Sequence, residues 1–447
     1  SELPAFSRQA SETGHPVTVA VIGAGSRGGQ YAAIAARLGA QIVAVADPAV
    51  EARADFAKTH GVPPVQVFRR WEDLAAAGRL ADVAVIATPD HEHVEPALAC
   101  AALGYDILLE KPIAPTEDQA ARVIAAARST GVMVAVCHVL RHTPHTLVLK
   151  RMLGQGAIGD LVSVEHLEPI GWWHFAHSFV RGNWRDETAS SSMLLAKSCH
   201  DIDWLNHVVG RPARRVSSFG SLFEFTADRK PAGAAERCLD CGVSDDCPYS
   251  APRVYGGFLG DPDHELWPLS VLTRDLTEAG LERALRDGPY GECVYNGHND
   301  VVDHQVVSIE YEGGVTASFT VAAFTEMAFR KTRLFGTRGC IESDGRLIVL
   351  RDFVTGETQM IDSNPGASDA SAASGHGGGD EGLVRAFLEC VTSGDREAMD
   401  ANLASAFASH QAVWAAERAR RSGTVVALDP QHRAAPEWDQ SKRRSTL

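Results

Sequence analysis

The stretch VTVAVIGAGSRGGQYAAIAARLGAQIVAVAD, residues 17–47, decides the fold. Its opening VTVAVI is nearly all apolar, as is QIVAVA at 41–46, so each predicts a strand buried on both faces. A helical pattern to Leu38 lies between them. Strand, crossover helix and strand in that order make a parallel unit. Gly23-Ala24-Gly25-Ser26-Arg27-Gly28 stands where the first strand gives way to the helix, the context that gives this spacing meaning. The first glycine permits a tight turn, the second lets backbone approach a pyrophosphate, and the third lets helix and strand pack closely. Gly23, Gly25, Ser26, Arg27 and Gly28 are therefore expected to form a dinucleotide-binding turn.

Asp47 ends the second strand, where a carboxylate can accept hydrogen bonds from ribose hydroxyls and repel a 2′-phosphate. NAD is expected over NADP on that ground. Arg27 and Arg53 weigh the other way, because a guanidinium nearby could pair with the phosphate. Asp47 could instead cap the helix that starts near residue 49.

Working outward, further buried runs occur at ADVAVIATP, DILLEKP and VMVAVCH, with helical stretches such as EHVEPALACAALG and TEDQAARVIAAARSTG between them. The pattern predicts a doubly wound Rossmann domain over about 15–140. Beyond a helix around 144–154 the segments LVSVEHLEP, RRVSSFGSLFEF, HQVVSIEYE, VTASFTVAA, KTRLFGT and RLIVLRD mix apolar and polar positions. They predict a second α+β domain, 141–447, with an open and mainly antiparallel sheet. An insertion at about 226–300 and a Gly/Ser/Ala-rich segment at 362–379 interrupt it.

The chain has 447 residues, enough for two cores, with 45% hydrophobic and 22% charged residues, values of a globular enzyme. A formal charge of -15 opposes binding to nucleic acid or an anionic membrane. No long apolar span and no signal-peptide pattern is seen, so the cytoplasm is the expected location. The open sheet face predicts a homodimer or homotetramer.

Thr88-Pro89-Asp90-His91-Glu92-His93 and Glu110-Lys111-Pro112 each follow a predicted strand, where ligands of open α/β sheets bind. Together GAGSRG, TPDHEHVEPALACAALGYDILLEKP and MLLAKSCHDID resemble the glucose–fructose oxidoreductase / inositol dehydrogenase (Gfo/Idh/MocA) family, over about 17 to 425. The resemblance implies oxidation or reduction of sugars, inositols and related polyols with NAD(P). It implies that Lys111 hydrogen-bonds the reacting oxygen, with Thr88, Pro89, His93 and Glu110 beside the cofactor. His200 matches the family's second-domain histidine, and Asp203 the aspartate three residues later. The sequence departs from the family at Ala196, where many members carry an aspartate, with Lys197 next to it.

The segment Ser190–His207 predicts a helix on which Lys197 and His200 share a face. Hydride transfer from a carbinol needs a proton acceptor and a positive group for the developing alkoxide. His200 or Lys197 is expected to take the proton while Lys111 polarises the oxygen. A core histidine bonded to a carbonyl is the structural alternative for His200. In GWWHFAHSFVRGNWR, 171–185, aromatic faces suit sugar C–H surfaces and the cations suit hydroxyls or anions. Trp172, Trp173, His174, Arg181, Trp184 and Arg185, with His304 further on, are candidate substrate contacts.

Nine cysteines make a disulfide framework improbable. Cys238-x2-Cys241-x5-Cys247 could supply three thiolates to a structural zinc, with Cys293 or His264 as the fourth ligand; reduced loop thiols or a disulfide are the alternatives. Two functions stay open. One is an NAD-dependent sugar or polyol dehydrogenase. The other, found in the same family, is a glycoside hydrolase that uses bound NAD for transient oxidation, elimination, hydration and re-reduction, here on an anionic or N-acetylated glycoside.

Overall fold

The computed structural model describes residues 15–365 and 376–428. The chain divides into two compact units. The first runs to His138 and also takes in Asp380–Phe407, and the second comprises Val139–Gly379 and the segment from Ala408. The division falls between His138 and Val139, and the chain returns to the first unit after Gly379. The physical reason is visible at Asp380, whose carboxylate accepts from Arg27 at 2.6 Å.

In the first unit, β1 (Thr18–Ile22), β2 (Gln41–Ala46), β3 (Val67–Phe68), β4 (Val83–Ile86), β5 (Asp106–Leu109) and β6 (Val134–Val136) form one parallel sheet in the order β3-β2-β1-β4-β5-β6. Val19, Ala20 and Val21 are fully buried and β4 is buried throughout, which is why these runs show no alternation. The chain reverses direction of sheet growth between β1 and β4, so the carboxyl ends of those strands open a crevice.

In the second unit nine strands make one mixed sheet: β7 (Leu161–Pro169), β8 (Ala213–Ser221), β9 (His304–Tyr311), β10 (Thr316–Ala322), β11 (Lys331–Gly336), β12 (Gly339–Ser343), β13 (Leu347–Asp352), β14 (Thr358–Asp362) and β15 (Val426–Ala427). Among the described residues only the β7–β10 pair of this sheet is parallel. One face is covered. On β9 Val307, Ile309 and Tyr311 are buried while Val306 is exposed, and Ala317, Phe319 and Val321 of β10 face the same core. The helix Met193–Val209 packs on β7 and β10. Its amino end is capped by the Ser192 hydroxyl, which accepts from Leu195 N, and Gly210 ends it in the left-handed conformation. Part of the glycine-rich segment 362–379 lies outside the described residues.

Candidate functional site

The first unit assembles one set of predicted residues at the carboxyl ends of β1, β4 and β5. Gly23 has φ +94°, and a Cβ there would stand 2.5 Å from Ala87 O; a Cβ on Gly28 would meet Gly23 O at 1.9 Å. Gly23 is closed to any larger residue by the backbone that follows β4, and Gly28 by the turn itself. Gly25 differs, because nothing lies within 4 Å of its missing Cβ. Gly25 and Ser26 are exposed at the start of the helix Ser26–Arg37, whose first turn has no acidic residue and no side-chain cap. A helix amino end in that state presents N–H groups and partial positive charge to an anion. The residues thus fit a pyrophosphate.

Asp47 accepts from Ala24 N and Ala49 N, each at 2.7 Å, so its carboxylate both steadies the glycine turn and orders the start of the next helix. Arg27 is not available to a 2′-phosphate in this arrangement. Its Nε donates to Glu110 Oε1 at 2.7 Å, Nη1 to Gln30 at 2.6 Å, and Nη2 to Asp380 and the Tyr31 hydroxyl. Arg53 donates to the Asp47 carbonyl oxygen.

Glu110 is buried, accepts from Tyr31 at 2.8 Å, and takes the Lys111 backbone N–H at 2.6 Å. Burial pushes its carboxyl up, but Arg27 and Lys111 outweigh that and hold it below the usual range. Glu110 therefore stays charged and fixes the backbone from which the half-buried Lys111 projects. His93 is fully buried with Nδ1 2.6 Å from Pro112 O and Nε2 2.9 Å from Thr88 O. It joins the Thr88-Pro89 turn to the segment after Lys111, a positioning role. The Thr88 hydroxyl donates to Glu92 O at 3.1 Å, and Pro89 is exposed.

The second unit gathers a different cluster. Alternation along β7 puts Val164, His166 and Glu168 on the buried face, toward the helix that carries Lys197 and His200. Lys197 Nζ lies 3.0 Å from Glu168 Oε1, and Arg330 pairs with the other oxygen of Glu168. Arg330 Nε also donates to Asp201 Oδ1 at 2.8 Å, and its Nη2 stands 2.9 Å from His200 Nε2. His166 Nε2 is 3.4 Å from Asp201 Oδ1, and its Nδ1 is 2.7 Å from the Thr332 hydroxyl. Burial pushes Asp201 up, yet Arg330 and the His166 bond bring it far below the usual carboxylate range. Arg330, Glu168, Asp201 and His166 were not anticipated. A signal for two of them existed: EHLE in a strand places His166 and Glu168 on the inward face, where apolar residues are the rule.

The remaining expectations divide. Asp203 stands apart from this cluster, since Arg141 Nε donates to it at 2.6 Å and Nη2 to its other oxygen. His174 joins the cluster: burial, then Lys197, depress its basicity, and its Nδ1 is buried with no hydrogen-bond partner among the described residues. Trp172 meets Tyr249 edge-on, and Trp173 packs on Phe258, His264 and Trp267. Trp184 lies beside Phe179. Arg181 is buried, with donors on the carbonyls of Glu292 and Tyr249, both at 2.8 Å. Arg185 approaches Glu292 at 3.5 Å, and His304 bonds Asp303 at 2.9 Å. These contacts give Arg181 and the two leading tryptophans structural work within the insertion. A preformed zinc site on Cys238, Cys241, Cys247 and Cys293 is not supported: among the described residues no three His, Cys, Asp or Glu side chains form a group that could hold an ion as they stand. None of the nine cysteines takes part in a disulfide. Nor is any helix among the described residues long and apolar enough to cross a membrane.

Comparison with known proteins accords with this geometry. Residues 17–138 match the Gfo/Idh/MocA oxidoreductase family, NAD-binding Rossmann fold, and residues 150–428 its C-terminal alpha/beta domain. Inositol 2-dehydrogenase of Rubrobacter xylanophilus is 33% identical over 190 residues, 42% of this chain and 50% of that protein. 2,7-Anhydro-N-acetylneuraminate hydratase of Escherichia coli is 24% identical over 148 residues, 33% of this chain and 39% of that protein. The chain thus spans half or less of the length of these two curated relatives. An oxidoreductase from Agrobacterium radiobacter, solved with NAD+, L-tartaric acid and magnesium, superposes with a TM-score of 0.66 at 14% identity, covering 92% of this chain and 98% of its own. That likeness speaks for the fold.

Proposed function

The chain belongs to the Gfo/Idh/MocA oxidoreductase family, and on that premise we propose that it is an NAD-dependent enzyme acting on a carbinol carbon of a sugar, a sugar derivative or an inositol. The observation that carries this reading is the Arg27–Glu110 pair at 2.7 Å. It ties the glycine turn, which suits a pyrophosphate, to the residue before Lys111. The dinucleotide turn and the lysine are thereby held as one piece of the same sheet edge. Bound on that turn, NAD would accept or return the hydride.

The residues of the chain handle the proton and the oxygen. Lys111 donates to the reacting oxygen and stabilises the charge that develops on it. Lys197, held by Glu168 at 3.0 Å, exchanges the hydroxyl proton. His200 acts as a donor. A guanidinium has no acceptor, so Nε2 facing Arg330 must carry the lone pair and the ring proton sits on Nδ1.

A second reading has a specific observation in its favour, the similarity to a hydratase of an anhydro-sugar. In it the enzyme oxidises a glycoside transiently, eliminates, adds water and reduces again, with no net change in NAD. One experiment separates the two. The full chain is incubated with NAD and a panel of inositols, free sugars and aryl glycosides. Growth of NADH in proportion to substrate supports the dehydrogenase; release of aglycone without it supports the redox-neutral enzyme. Neither signal on any member of the panel, with NAD bound, would remove the carbohydrate assignment.

A further inference from the structure

The chain re-enters the first unit at Asp380, 353 residues beyond Arg27, and brings in a carboxylate to which the proposed redox chemistry gives no part. The glycine-rich stretch ends in Gly377-Gly378-Gly379, and its last two residues make the delivery possible. Gly378 has φ +93°, and a Cβ on Gly379 would stand 2.4 Å from Val139 O. Asp380 then lies in the first turn of the helix Gly379–Ser393, where the amino end favours a negative charge. It is 2% exposed. A carboxylate this deep persists only where a partner holds it.

Arg27 is a partner, and the contact continues inward from it. Arg27 Nη2 donates to Asp380 Oδ1 at 2.6 Å and to the Tyr31 hydroxyl, while its Nε donates to Glu110 Oε1 at 2.7 Å. Tyr31 is fully buried and donates to the same Glu110 oxygen at 2.8 Å. The other oxygen, Oε2, accepts the Lys111 N–H at 2.6 Å. A guanidinium is a rigid plane, so anchoring Nη2 on Asp380 sets the direction of Nε and with it the place of Glu110 Oε1. Asp380 and Glu110 also share one cation. Glu110 therefore keeps negative charge for Lys111, the next cation it feels after Arg27.

We propose that Asp380 and Tyr31 are positioning residues for Lys111, acting through Arg27 and Glu110. Asp380 sets the plane of the guanidinium, and Tyr31 fixes the rotation of the Glu110 carboxylate. Oε2 then holds the backbone N–H of the residue from which the lysine side chain extends. A segment from the far end of the sequence thus governs where the ammonium group can reach, without itself touching a reacting atom. What Lys111 does at the reacting oxygen rests on the function proposed above; how its backbone is held does not.

The test reads the two separately, in the full chain. Hydrogen exchange at the Lys111 N–H, followed by mass spectrometry, should be about tenfold or more faster in Asp380→Asn and in Tyr31→Phe than in wild type, over and above any change at the amides of β1. Pro112 has no N–H and so keeps the Lys111 signal distinct. Asp380→Glu retains the charge on a longer stem and should recover part of the protection. Tyr31→Phe leaves every charge in place and decides the matter if Asp380→Asn fails to fold. On any carbohydrate the chain turns over, kcat should fall by about 10- to 100-fold in both variants, with KM and NAD affinity little changed. Exchange at Lys111 that rises no more than that of β1, or kcat equal to wild type in both variants, would overturn the proposal. Faster exchange at Lys111 in a chain that turns over no carbohydrate with NAD would uphold the positioning and remove the function instead.

Discussion

Arg330 Nη2 stands 2.9 Å from His200 Nε2, while its Nε reaches Asp201 at 2.8 Å. One guanidinium therefore occupies the lone pair of the histidine and neutralises the carboxylate beside it. This relationship decides what His200 can do. With Nε2 engaged, the ring offers a proton and cannot accept one until Arg330 moves.

Arg330→Met should lower kcat by about 10- to 100-fold, a modest share of what acid–base groups contribute. NAD affinity should be unchanged. Removing the cation leaves the Asp201 and Glu168 carboxylates unneutralised beside His200 and Lys197, so the pH profile of kcat should shift. Arg330→Lys should restore part of the rate, since one ammonium replaces the charge but not the fork. A pH profile that does not move in Arg330→Met would show that Arg330 serves packing alone.

The two glycines of the turn should fail in different ways. Gly25→Ala adds a Cβ into space with no neighbour within 4 Å, so the fold should keep its Tm. NAD binding should weaken by about tenfold or more, which is about 1.4 kcal/mol per factor of ten. Gly28→Ala drives its Cβ to 1.9 Å from Gly23 O and should cost roughly 1–3 kcal/mol in urea unfolding. Equal NAD affinity in Gly25→Ala and wild type would remove the pyrophosphate from this turn.

These contrasts mark what the sequence could show. The strands of the first sheet are legible because burial on both faces leaves runs such as VAVI with no polar interruption, and the glycine turn is legible because three steric demands recur at fixed spacing. Lys197 and His200 could be paired because they sit on one helix. Arg330 could not be found this way. It lies 129 residues beyond Asp201 and meets Glu168 because β11 pairs with β7 in a register that sets Lys331 opposite Leu167. Arg181, Trp172 and Trp173 read as sugar contacts by composition, yet the insertion supplies partners for each, and no local pattern announces where an insertion folds back.

Acid should loosen the second unit from about pH 6.5 downward. Burial lowers His177 to about 3, with Arg181 adding to the effect, and lowers His145 to about 4, with His166 adding. In the unfolded chain both titrate near their ordinary value of about 6.5. Folding therefore excludes protons that the unfolded chain binds, and the stability these groups contribute is full above pH 6.5 and lost as pH falls toward 3 to 4. The slope is at most about 1.4 kcal/mol per pH unit for each group. Urea midpoints measured from pH 7 to 5 should fall, and His177→Phe should flatten the decline. A decline as steep in that variant as in wild type would assign it to other groups.

Cofactor choice should turn on Asp47. Its carboxylate accepts from Ala24 N and Ala49 N at 2.7 Å each, which holds negative charge beside the turn where a 2′-phosphate would have to enter. Arg27 cannot answer that phosphate, because Glu110 and Asp380 hold its guanidinium at 2.7 and 2.6 Å. Arg53 can, since its present bond is to a neutral carbonyl oxygen, that of Asp47 itself. Asp47→Ser keeps a short acceptor for the two backbone N–H groups while removing the charge. The ratio of kcat/KM for NAD to that for NADP should fall by about tenfold or more, through a gain with NADP as well as a loss with NAD. Adding Arg53→Ala should abolish the gain and leave the loss. A ratio that stays constant through both substitutions would mean that selection between the two dinucleotides is made elsewhere.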